Sequence, residues 1–313
     1  MENSLQHITL YQFKLQSEII LDLNLSYQFF GAELFSAPII LINHALTGNS
    51  NVSGENGWWK TLVGDQKIVD TTRFTVLCFN IPGNGFDGHF IHNYENFTTK
   101  DIAKIFLEGL SALKITTLYA MIGGSLGGAI GWEMLAIKKD LAERFVPIAC
   151  DFKTSDWLYS QCLVQQFLLN TNEQPLEKAR MHAMLCYRTP ESVNLRFGNE
   201  WDETQQIRKS HDWLNFHGKS LAQRFTLKAY RLMNQLLMTI NADAEQLKNI
   251  KAELHLVSVD SDLFFPASEM KKCFEVLHKT KASTFYHEIK SIHGHDAFLM
   301  EYEQLNKILE KIL

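Results

Sequence analysis

The strongest constraint on the fold is a set of short apolar runs that return along the chain, at residues 38–43, 74–79, 118–122, 145–149, 254–259 and 284–289. A strand wetted on one side alternates polar and apolar residues, whereas an uninterrupted run belongs to a strand covered on both faces. Helical periods separate several of these runs, at residues 99–113 with Thr98 as the expected N-cap, 126–138, 267–277 and 297–312. Strand and helix in alternation call for a mostly parallel central sheet flanked by helices, so the predicted class is α/β. Ahead of them, residues 13–30 alternate about Gln16-Ser17-Glu18, the pattern of an N-terminal β-hairpin.

One stretch breaks the rhythm. Residues 151–250 are helical in pattern, rich in Trp, Gln and Leu, and hold no run that reads as a buried strand. Because strands resume at Leu254, the simplest division is a core of residues 1–150 and 251–313 into which residues 151–250 are inserted as a helical lid.

Composition narrows the function. With 46% hydrophobic and 21% charged residues the chain has the make-up of a packed globule. Its 30 Lys and Arg stand against 35 Asp and Glu, a net charge of −5 with no basic run, which argues against nucleic acid as a partner. No stretch of about 18 apolar residues occurs, and the start, Met1-Glu2-Asn3-Ser4-Leu5-Gln6-His7, lacks the basic and apolar regions of a signal peptide. The expectation is therefore an unsecreted protein without a membrane partner. Cys78, Cys150, Cys162, Cys186 and Cys273 are odd in number and widely spaced, which fits packed thiols in a reducing cytoplasm better than a disulfide framework or a zinc ribbon.

The main chemical signal is Gly123-Gly124-Ser125-Leu126-Gly127-Gly128, a G-x-S-x-G between a predicted strand and a predicted helix. In that setting a sharp turn lifts a serine hydroxyl above the sheet, and glycines at 123 and 127 are required because a Cβ would clash across so tight a bend. The bland alternative is a structural glycine-rich turn. A serine hydroxyl is a poor nucleophile until a base takes its proton, so a histidine and an orienting carboxylate should follow in the order Ser, Asp, His. Asp260 and Asp262 stand just past the strand at 254–259, where α/β sheets place their sites, and His293 and His295 follow the last strand. Spacing alone leaves both pairs open.

An oxyanion hole needs the amide after the nucleophile and a second from the loop after an early strand. Leu126 supplies the first, and Leu46, in Asn43-His44-Ala45-Leu46-Thr47-Gly48, is the candidate for the second; His44 reads as a packing residue at the strand end before a catalytic one. A competing signal, Gly83-Asn84-Gly85-Phe86-Asp87-Gly88, is formally G-x-G-x-x-G. No helical period opens at its last glycine, so it is read as a turn-rich loop beside the site and not as a dinucleotide cradle. No second Cys/His cluster joins His293-Gly294-His295-Asp296, so no metal is expected.

Taken together, several strings resemble the homoserine O-acyltransferases of the α/β-hydrolase superfamily: residues 43–48, Gly57-Trp58-Trp59 with Gly64, residues 123–128 leading to Trp132-Glu133, Ala179-Arg180 through Tyr187-Arg188 to Arg196-Phe197-Gly198, residues 261–266, and residues 294–299. The resemblance implies an α/β-hydrolase fold with Ser125 as nucleophile, Asp262 as orienting acid and His295 as base. It also implies that Arg180, Tyr187 and Asp296 face an amino-acid substrate, a guanidinium suiting an α-carboxylate and a carboxylate an α-ammonium. Departures are Leu126 where the family usually has Met, a loosely matching segment at 80–88 and a shortened lid.

The implied activity is transfer of an acetyl group from acetyl-CoA to the hydroxyl of L-homoserine by a ping-pong Ser-His-Asp mechanism, in methionine biosynthesis, with acetyl-CoA a substrate and no bound cofactor. The competing readings are transfer from succinyl-CoA or to serine, an esterase or thioesterase using the same triad, and a silent scaffold. Trp157, Leu158, Tyr159, Leu163, Phe167 and Leu168 read first as lid core; the family implies a homodimer through lid helices.

Overall fold

The computed structural model describes residues 4–313, so residues 1–3 of the N-terminal stretch discussed above lie outside it. Eight strands form one sheet: β1 (Gln6–Lys14), β2 (Ile20–Gly31), β3 (Ile39–Asn43), β4 (Thr75–Phe79), β5 (Leu118–Gly124), β6 (Ala142–Ile148), β7 (Glu253–Val259) and β8 (Thr284–Ile289). Their spatial order is β1-β2-β4-β3-β5-β6-β7-β8; the N-terminal hairpin is antiparallel and joins β4 antiparallel, and from β4 onward every pairing is parallel.

The uninterrupted runs have the cause that their composition suggested. Leu41, Leu77 and Met121 point into one core, beneath α1 (Thr99–Ala112) and α2 (Leu126–Ile137), while their chain neighbours Ile40, Val76 and Ile122 point into a second core with Phe298, Leu305 and Leu309. Both faces of a central strand are dry, so both sets of alternating positions must be apolar. α9 (Ala267–His278) and α10 (Tyr302–Leu309) complete the cover.

Thr98 caps α1 as expected, and the cap is a full box: Thr98 Oγ1 accepts from the Asp101 amide, and Asp101 Oδ2 accepts from the Thr98 amide at 3.0 Å. The other Asp101 oxygen accepts from Gln16 N at 2.8 Å, tying the box to the hairpin turn. Thr98→Ala should cost about 1 kcal/mol, read as a lower midpoint in urea unfolding; an unchanged midpoint would show that the cap contributes nothing.

Two elements depart from the sequence pattern. The hairpin begins at Gln6 and not at residue 13, because β1 carries a bulge between Leu10 and Phe13 with Gln12 at φ 51, which shifts the side-chain alternation out of phase. The helix expected over 297–312 is split into a 3-10 segment, Gly294–Leu299, and α10. The break lets Phe298 pack against the turn at Gly124 while Leu305 and Leu309 cover the sheet.

Between β6 and β7 the chain forms α3 (Asp156–Leu169), α4 (Pro175–Tyr187), α5 (Pro190–Phe197), α6 (Lys209–Arg224), α7 (Leu227–Met238) and α8 (Ala244–Leu247), with one two-residue ribbon, Trp201–Asp202 against Ile207–Arg208. Its two ends clasp each other where they leave the sheet: Thr154 N donates to Ile240 O and Ala242 N to Phe152 O, both at 2.9 Å. Glu133 of α2, buried, accepts from Asn241 N at 2.9 Å and anchors the clasp to the core. Of the apolar α3 side chains, Leu158 is buried while Trp157, Tyr159 and Phe167 are exposed, so the lid-core reading holds for part of the set. Among the described residues no helix is long and apolar enough to cross a membrane, and all five cysteines are unpaired.

Candidate active site

β5 ends at Gly124 and α2 begins at Leu126, leaving Ser125 alone on the bend between them at φ 54, ψ −127. A non-glycine residue in such a conformation costs about 1–3 kcal/mol and persists only where its surroundings impose it. They do: Ser125 N donates to Ile148 O at 2.8 Å, and a Cβ on Gly127 would stand 2.1 Å from Asn43 O, so the bend is pressed against the end of β3. Gly123 is equally committed, since a Cβ there would lie 2.5 Å from the Gly127 carbonyl carbon.

The structure brings Ser125, Asp262 and His295 together in one hydrogen-bonded row. His295 Nδ1 donates to Asp262 Oδ2 at 2.7 Å, and because a carboxylate only accepts, Nδ1 carries the proton and Nε2 is left to accept from Ser125 Oγ at 2.9 Å. Asp262 is held in turn by the Phe264 and Phe265 amides, which donate to its Oδ1 at 2.7 and 2.9 Å. The other candidates are engaged elsewhere. Asp260 accepts from Ser291 N at 3.0 Å, and His293 Nδ1 faces Ser192 Oγ at 2.9 Å and Arg188 Nη1 at 3.1 Å.

Leu46 and Ser125 line one cavity of about 70 Å³ with Thr47, Arg180, Tyr187, His295 and Asp296. Leu126 is not a wall of it: its side chain is fully buried, and its amide, the first of α2, has no partner within the helix. His44 lies under the Leu46 loop; burial pushes its imidazole down to about 4, so it is neutral at physiological pH. A larger groove, about 360 Å³, lies between β2 and residues 82–97 and holds none of the triad. The glycine-rich loop at 83–88 borders that groove, opens no helix, and reaches His44 through Asn84, whose Nδ2 lies 3.5 Å from His44 Nε2, while Ile81 N just ahead of the loop donates to the same nitrogen at 3.0 Å. Among the described residues no group of three or more His, Cys, Asp or Glu is arranged to hold a metal.

The residues expected to face a substrate share that cavity but differ in state. Arg180 rests 5.6 Å from the Tyr187 ring centroid and pairs with no carboxylate among the described residues. Asp296 is already held, its Oδ2 accepting from Arg188 Nε at 2.9 Å with both side chains largely buried. Burial raises the Tyr187 phenol well above its ordinary range, so it stays protonated.

The α/beta hydrolase fold family matches residues 38–293 of the chain. A homoserine O-acetyltransferase of Cyclobacterium marinum is 30% identical over 301 residues, covering 87% of this chain and 84% of that protein. The chain belongs to the homoserine O-acetyltransferase family. It is thus an enzyme of the α/β-hydrolase fold, as the motifs implied. Among solved structures, a homoserine O-acetyltransferase from Bacillus anthracis superposes with a TM-score of 0.86 at 17% identity, covering 100% of this chain and 98% of that one. Esterase E22 superposes with 0.87 at 17% identity and 99% coverage of both, which at that identity speaks to fold alone.

Two features of this homoserine O-acetyltransferase family member escaped the sequence reading. Arg188 stands out in the sequence only as part of a string, since its partner Asp296 is 108 residues away. The His295 ring is enclosed by Tyr187, Phe264, Phe265 and Phe298, with centroids 5.5, 5.1, 5.6 and 5.5 Å distant. The signal was present: Phe264-Phe265 follows Asp262 by two residues, and Phe298 follows His295 by three. Such a cage keeps water from the Asp262 bond and offers π faces to an imidazolium.

Proposed function

We propose that the protein moves an acetyl group from acetyl-CoA to the hydroxyl of L-homoserine through an acetyl-Ser125 intermediate. His295 Nε2 takes the Ser125 proton as Oγ attacks the thioester carbonyl. The Leu46 and Leu126 amides hold the oxyanion, the C–S bond breaks, and His295 returns the proton to the departing thiolate. Homoserine's hydroxyl then gives its proton to His295 and attacks the acetyl carbonyl, and Ser125 leaves with that proton. Asp262 keeps the tautomer and steadies the imidazolium.

The observation that carries this reading over plain ester hydrolysis is Arg180, a guanidinium in the cavity that holds Ser125 and without a carboxylate partner among the described residues. It suits an α-carboxylate, and Asp296, with one oxygen held by Arg188, has another to offer an α-ammonium. The relatives named homoserine O-acetyltransferase support the same acceptor and a place in methionine synthesis. In this reading residues 151–250 act as a lid that narrows access for water, the chemistry runs without metal or bound cofactor, the unpaired thiols suit the cytoplasm, and exposed Trp157, Tyr159 and Phe167 are the face for a homodimer.

Mass spectrometry after exposure to acetyl-CoA alone tests the half-reaction. One added acetyl group is expected on the wild type and none on Ser125→Ala, with homoserine discharging it faster than serine or water. An unmodified wild-type protein, or discharge fastest to water, would overturn the proposal.

A further inference from the structure

The Leu46 amide lies on a turn whose residues are only partly covered, Leu46 itself being buried, and an oxyanion donor is useful only if its direction is fixed before charge develops. Residues 45–48 form a turn in which Gly48 N donates to Ala45 O at 2.9 Å. The same Ala45 oxygen is 2.8 Å from His44 Nδ1. Because that oxygen only accepts, Nδ1 carries the imidazole proton, and Nε2 is free to accept from Ile81 N at 3.0 Å, with Asn84 Nδ2 at 3.5 Å. His44 is 1% exposed, so neither bond is shared with solvent.

Ala45 C=O and Leu46 N–H are the two ends of one peptide unit, and in a trans peptide they point in opposite directions. No peptide in the described chain is cis. Whatever pins the Ala45 oxygen therefore aims the Leu46 hydrogen. No protein acceptor among the described residues takes that amide. From outside, Arg224 of α6 donates to Thr47 O at 3.0 Å and holds the far end of the turn.

We propose that His44 is a positioning residue for the oxyanion hole: by donating from Nδ1 to Ala45 O while Ile81 N–H occupies Nε2, it aims the Leu46 amide at the carbonyl oxygen of the group reacting with Ser125. The proposal rests on the acyl-transfer reading above and adds to it a reason for a buried histidine that touches neither substrate nor triad.

The two amide side chains divide its bonds. His44→Asn places a donor near the Nδ1 position and gives up the acceptor for Ile81; His44→Gln places an acceptor near Nε2 and gives up the donor to Ala45. With p-nitrophenyl acetate as a chromogenic acyl donor, His44→Gln should lose about thirtyfold in kcat at unchanged KM, and a trifluoromethyl ketone, whose adduct with Ser125 carries the oxyanion, should bind weaker by the same factor. His44→Asn should stay within about threefold of wild type in both while unfolding at lower urea. A merely structural histidine predicts the opposite, activity following stability. His44→Gln at wild-type rate and inhibitor affinity overturns the proposal. Should neither variant fold, imidazole nitrogen NMR of the wild type decides: a proton on Nδ1 of His44 supports it, and a proton on Nε2 overturns it. Ser125→Ala separates the two levels, since acylation surviving in that variant refutes the underlying reading, whereas a dead Ser125→Ala beside an unaffected His44→Gln refutes only the role of His44.

Discussion

Asp262→Asn is expected to lower the rate of acyl transfer about 10⁴-fold, with KM values little changed, because it installs the wrong imidazole tautomer. The structure dictates which way the new amide must turn. One oxygen of Asp262 accepts from both the Phe264 and Phe265 amides, at 2.7 and 2.9 Å, and only an oxygen can keep those two bonds. The NH₂ of an asparagine is therefore forced to the other position, 2.7 Å from His295 Nδ1, where it donates instead of accepting. His295 answers by moving its proton to Nε2, the nitrogen 2.9 Å from Ser125 Oγ, and a protonated Nε2 cannot take the serine's proton. An asparagine is isosteric with Asp262 and stays buried in its place, so unfolding by urea should shift little. The check is the initial rate of acetyl-enzyme formation by rapid quench: a variant within tenfold of wild type would mean that Asp262 does not set the tautomer.

That bond explains where the sequence was legible and where it was not. The strands announced themselves because a sheet dry on both faces leaves no place for polar residues in runs such as 38–43, and the bend at Ser125 did so because Gly123 and Gly127 must pass within a Cβ's reach of each other. Such features are local and their physics is visible in a few consecutive residues. The choice between Asp260 and Asp262, or between His293 and His295, is not local. Each pair sits on a short loop whose direction depends on partners elsewhere in the fold: Ser291 for Asp260, Ser192 and Arg188 for His293. Asp262 and His295, the pair that the family resemblance implied, are the two that lie together, and the reason lies in contacts across the chain. The same holds for Arg188, and for β1, whose single bulge was enough to hide half a strand from a period of two.

Arg180→Gln should raise the KM for homoserine about a hundredfold and leave acetylation of Ser125 by the donor unchanged. The guanidinium lines the cavity beside Ser125 without a carboxylate partner among the described residues, and its charge is felt by Tyr187, by Tyr230 and by Arg224, which it opposes. An unpaired cation facing a second cation gains most when an anion arrives. A charge-assisted hydrogen bond to a carboxylate contributes about 1.5–3 kcal/mol, which corresponds to roughly ten- to 150-fold in affinity. Asp296 cannot substitute, since it carries the same sign as the ligand and is already bound to Arg188. The comparison that isolates the interaction uses 3-aminopropan-1-ol, which keeps homoserine's amine and hydroxyl but has no carboxylate. Wild type and Arg180→Gln should accept it equally poorly, so removing the carboxylate and removing the guanidinium should cost the same energy once, not twice. Arg180→Lys should recover only part of the affinity, because an ammonium is a single point of charge where the guanidinium presents two parallel N–H donors. A homoserine KM unmoved by Arg180→Gln, or additive losses with the truncated acceptor, would place the carboxylate elsewhere in the cavity and would leave the hydroxyl of the acceptor without the anchor that brings it to the acetyl group ahead of water.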